Sequence, residues 1–92
     1  MAPFFPLGQV VATPGAIALT EAARIDPVQL LRRHRAGDWG DLGEEDWREN
    51  DYAVGGTLRV FSAYGKPPDR LWVISEADRS VTRSCGLTST EA

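Results

Sequence analysis

GGTLRVFSAYGKPPDRLWVIS, residues 55–75, decides the fold. Leu58, Val60 and Ser62 alternate with Arg59, Phe61 and Ala63, and farther on Leu71 and Val73 alternate with Trp72 and Ile74, a period of two that belongs to strands. Between these runs, Gly65-Lys66-Pro67-Pro68-Asp69 holds two prolines that cannot join a ladder, so the strands at 57–64 and 70–75 fold back as a hairpin. Glu76-Ala77-Asp78-Arg79 makes a second turn, in which Asp78 followed by Arg79 and Ser80 is expected to close on itself through side-chain to backbone hydrogen bonds and a local ion pair. Residues 80–85 follow as a third strand, with Val81, Arg83 and Cys85 on one face.

Upstream the pattern is helical. Thr13-Pro14 and Asp26-Pro27 each set an N-cap residue before a proline at the first helical position, where the missing N–H costs nothing. They open helices from 14 to about 24 and from 27 to Gly37; the second carries Val28, Leu30 and Leu31 on its apolar face. Its last turn, Arg33-His34-Arg35, suits the negative end of the helix dipole. Asp38-Trp39-Gly40-Asp41-Leu42-Gly43 reads as a compact turn whose Trp39 tucks back as an anchor. A third helix runs from Glu44 to about Val54 with acids in its first turn, and stops at Gly55-Gly56. The expected class is α+β: two to three N-terminal helices packed on a C-terminal three-stranded antiparallel meander, residues 7–12 being available as a short edge strand. Leu30, Leu31, Leu58, Val60, Leu71 and Val73 form the expected core. One domain is expected over 1–87, with a frayed tail at 88–92.

Ninety-two residues leave room for one core, and 42% hydrophobic with 25% charged residues excludes collagen-like, coiled-coil and disordered classes. The single cysteine, Cys85, has no partner for an intramolecular disulfide, which favours a reducing compartment. The opening stretch has no basic n-region and is broken by Pro3, Pro6 and Pro14, so neither a secretory signal nor a membrane span is expected, and the expected location is cytoplasmic. Charge is segregated: residues 38–51 hold seven carboxylates against one base, Arg48, so this segment stands at −6 and the remainder at +3.

No phosphate-binding glycine loop follows a strand, and no Cys/His set has zinc spacing, so neither metal nor cofactor is expected. Two constellations remain. The acidic third helix, through Glu44, Glu45, Glu49 and Asp51 with Trp47, offers a negative, partly aromatic face to a protein partner. Alternatively, His34 is a general acid or base, Arg59, Arg70, Arg79 and Arg83 steady a phosphate, and Ser80 or Thr82 orients it.

The runs GDWGDL…ED…END at 37–51, LRVFSAYG at 58–65 and LWVISEADRSVT at 71–82 resemble a family of small proteins of unknown function encoded on plasmids and integrative elements. The resemblance spans residues 5–82 and implies a mobile-element setting without a reaction. Where that family continues its last strand into an apolar run ending near a tyrosine, this chain has Arg83-Ser84-Cys85-Gly86. The expectation is therefore a non-enzymatic accessory protein that binds a protein partner, a host defence or regulatory factor or a second copy. The alternative is a small metal-independent ribonuclease of the RelE-like or barnase-like toxin type, acting on RNA.

Overall fold

The proline signals act as N-caps: the Thr13 hydroxyl accepts from the Ala16 amide and the Asp26 carboxylate from the Val28 amide. A computed structural model, which describes residues 5–55, 58–66 and 70–86, places strand β1 at Gln9–Ala12 and helices α1 at Pro14–Ala22, α2 at Pro27–Arg35 and α3 at Glu44–Ala53. Strands β2 at Val60–Tyr64, β3 at Leu71–Ser75 and β4 at Val81–Cys85 follow. The expected tail at 88–92 and the proline turn at 67–69 lie outside the described residues.

The chain is α+β, but the sheet is not the expected three-stranded antiparallel meander. It is four-stranded and mixed, ordered β1-β4-β3-β2: the stretch offered as a short edge strand does form one, over Gln9–Ala12, and adds the parallel pair. β2–β3 and β3–β4 are antiparallel, while β1 runs parallel to β4 with Val10 opposite Thr82 and Ala12 opposite Ser84. The reason is which edge stays open. Along β2, Ala63 donates to the Trp39 carbonyl and accepts from the Asp41 amide. The Asn50 amide, from α3, pairs with both the N–H and the C=O of Phe61. With β2 closed, the open edge of β4 receives β1. Gly8 permits the approach, since its φ is +66° and a Cβ there would sit 2.3 Å from the Ser80 carbonyl oxygen.

Inward-facing positions build two apolar clusters on the helix side of the sheet. Ala16, Leu30, Tyr64, Leu71 and Val73 form one, with Leu19 and Leu31 packed against it. Phe5, Trp39, Ala53 and Val60 form the other, flanked by Leu7, Leu42, Trp47 and Val54. Leu31, half-buried, still packs on the first cluster, but Leu58 departs from the expected core: it precedes β2, lines an open groove beside α3 and is 52% exposed. No helix of the described residues is long and apolar enough to cross a membrane.

Candidate functional site

His34 is the residue on which ribonuclease chemistry would turn, and its surroundings are those of a core side chain. It is fully buried on α2, with the rings of Phe5 and Trp39 edge-on to it at 5.3 and 5.6 Å. Nδ1 meets the Ser62 hydroxyl; Nε2 lies 2.9 Å from Ser75 Oγ, which in turn is 2.6 Å from Thr82 Oγ1. Thr82 donates to the Leu7 carbonyl at 2.8 Å. Donor counting fixes the protons: with Thr82 committed to Leu7, Ser75 donates to Thr82, Nε2–H donates to Ser75, and Nδ1 accepts from Ser62. The hydroxyl protons of Ser62, Ser75 and Thr82 are all committed within the protein. Burial, with a smaller contribution from the Arg79 charge, pushes the imidazole pKa down from 6.5 to about 3, so His34 is neutral at physiological pH.

The arginines named with it do not converge on it. Arg59 and Arg83 share Glu76, at 3.1 and 3.2 Å. Arg70 donates to the Gly65 carbonyl and lies over the Trp72 ring. Arg79, held at φ +60°, bonds the carbonyls of Leu58, Glu76 and Ala53 and lies over Phe5, so it ties the end of α3 to the β3–β4 turn. Ser80 caps Asp78 within that turn, and Thr82 meets His34 only through Ser75. Arg59, Arg70 and Arg83 do border the sheet face opposite the helices, where Phe61 and Trp72 pair at 5.9 Å; Glu76, shared by Arg59 and Arg83, offsets one of the three charges, and the buried His34 does not reach this face.

The acidic residues are sorted by the helix. Trp47, Asn50 and Val54 lie at i, i+3 and i+7 and turn inward, Trp47 donating its indole N–H to the Gly40 carbonyl at 3.1 Å. Asp51 accepts from the Trp39 indole at 2.9 Å, and Glu44 pairs with Arg48. Glu45 and Glu49, one turn apart, are exposed and make no ion pair among the described residues. Neither reaches Arg32, Arg33 or Arg35; Arg33 is held by Asp38 at 2.7 Å.

Glu45 and Glu49 rim a groove of about 500 Å³ between α3 and the approach to β2. Its apolar surface comes from Ala53, Leu58, Phe61 and Tyr52, the last 81% exposed. Tyr52 was not among the sequence candidates, although it follows Glu45 and Glu49 at i+7 and i+3 and so shares their face. The groove's two cations are already engaged, Arg48 by Glu44 and Arg59 by Glu76, which leaves the free charge negative.

Among the described residues no group of three or more His, Cys, Asp or Glu side chains is placed to share a metal ion. Compared with protein-family models, with curated proteins and with solved structures, the chain matches none.

Proposed function

We propose that this chain is a non-enzymatic accessory protein that acts by binding a basic protein partner in the groove along α3. The observation that carries it is the pair Glu45 and Glu49, unpaired at the rim beside an exposed Tyr52 and Leu58. Exposed aromatic and aliphatic groups contribute little to the packing of a free chain; in an interface they supply an anchor, and the uncompensated charge beside them an electrostatic guide. A lysine or arginine of the partner pairs with the two carboxylates while an apolar side chain packs between Tyr52 and Leu58. The mobile-element setting, the cytoplasmic location and a host defence or regulatory factor as partner come from the sequence resemblance and the single cysteine. The buried, fully bonded His34 gives the ribonuclease alternative no support.

Immobilised wild-type protein and Glu45→Lys/Glu49→Lys, offered the lysate of the cell that makes it, provide the test. A basic protein is retained by the wild type, is released as salt shortens the Debye length from about 14 to 6 Å, and is lost from the double variant. Retention that ignores both the substitutions and the salt contradicts the proposal.

A further inference from the structure

β1 is an outermost strand, and its outer edge has no partner among the described residues. In a parallel ladder alternate residues bond to the same neighbour. Gln9 and Thr13 donate to the carbonyls of Ser80 and Ser84, so Val10 and Ala12 turn their N–H and C=O groups outward. Gln9–Ala12 carries neither charge nor proline, two of the devices that keep an edge from pairing. Beside it, α1 and α2 leave a groove of about 340 Å³ lined by Val10, Ile17, Ile25, Val28 and Leu31 among others, almost wholly apolar. Five of the seven large apolar residues exposed in the described chain lie on this strand or in this groove.

We propose that this face is a homodimer interface, in which β1 of a second copy pairs antiparallel with β1 of the first about a two-fold axis at Val11. The outward groups select this register. Val10 and Ala12 are two apart, so Val10 of each copy stands opposite Ala12 of the other, and four hydrogen bonds satisfy every outward N–H and C=O. Directly paired residues share a sheet face, so both sets of helices lie on one side and the two apolar grooves meet across the axis. Charge leaves room for a second copy. The five carboxylates of α3 flank β2, the other edge of the sheet. In an eight-stranded dimer sheet the two acidic edges stand roughly 34 Å apart, several Debye lengths, so the net −3 of each chain does not oppose assembly. The interface is distinct from the α3 groove, and the two are separable by mutation.

Sedimentation equilibrium and amide hydrogen exchange on the full chain test it. The expected species has twice the 10.1 kDa mass of the chain at micromolar concentration, with the Val10 and Ala12 amides protected as well as those bonded to β4. Val10→Lys raises the dissociation constant about tenfold or more, and Ile17→Lys does the same from the helix side without altering β1. Glu45→Lys/Glu49→Lys leaves it unchanged. Should a lysine variant unfold, the wild-type exchange pattern decides. A monomer at every concentration overturns the proposal. So does a dimer whose Val10 and Ala12 amides exchange freely, or one dissociated by the α3 substitutions.

Discussion

Protonating His34 requires Nδ1 to become a donor toward Ser62, whose own hydroxyl proton then has to leave the hydrogen bond it makes. The unfolded chain takes that proton near pH 6.5, whereas the folded chain resists it down to about pH 3. Above 6.5 both states are neutral and the stability is fully present; as pH falls toward 3, the unfolded state binds a proton that the native state does not, and stability is lost. The predicted slope is about 1.4 kcal/mol per pH unit between pH 6 and 4.5, above the range where most carboxylates titrate. Urea unfolding at a series of pH values measures it. His34→Ala lowers stability at pH 7.5 by about 3 kcal/mol, since it opens a cavity beside Phe5 and Trp39 and strands two serine hydroxyls, and it removes most of that slope. A variant with the wild-type slope assigns the titration to another group.

At the scale of elements, one helix side chain and one loop close the β2 edge where a further strand would otherwise stand. Asn50→Ala leaves both backbone groups of Phe61 without the amide that holds them, a loss of about 1–3 kcal/mol measurable by denaturant unfolding. Gly40→Ala is costlier than its size suggests. Gly40 has φ +76° and a Cβ there would lie 2.2 Å from the Ala63 carbonyl oxygen, so the loop has to leave the strand, at about 2–3 kcal/mol. Unchanged stability in both variants would show that the edge is not held this way.

The helices, their caps and the three C-terminal strands were legible because each rests on a local signal: proline after a cap residue, a period of two, prolines in a turn. The place of β1 was not. It depends on which sheet edge remains open once Trp39, Asp41 and Asn50 have closed β2, a matter of contacts distant in sequence. The site divides in the same way. His34 reaches hydroxyls 28 and 41 residues away, and the only local hint was that Ser62, Ser75, Thr82 and Ser84 all fall on inward strand positions, a polar row that needs a polar partner. The acidic helix was legible as a feature, but its two faces were not separated. Trp47, Asn50 and Val54 mark the inner face, and Glu45, Glu49 and Tyr52 the outer one.

For the whole molecule, the acidic groove lies beside β2 at one edge of the sheet and the bare strand β1 at the other, with the neutral His34 chain between them as interior support. Charge reversal at Glu45 and Glu49 is therefore expected to change the unfolding free energy by no more than about 1 kcal/mol, since both side chains are exposed and unpaired and the cost comes from a lysine in place of Glu45 in the first turn of α3. A large loss would make the acidic face part of the fold rather than a surface for recognition. The claim that α3 recognises a partner is tested most directly by placing a photo-reactive phenylalanine analogue at position 52 in the producing cell and at position 29, exposed on α2 and outside both grooves, as a control. The account predicts an adduct to a basic protein from position 52 that disappears with Glu45→Lys/Glu49→Lys and does not form from position 29. No adduct from position 52, or the same adduct with the two glutamates reversed, would contradict it.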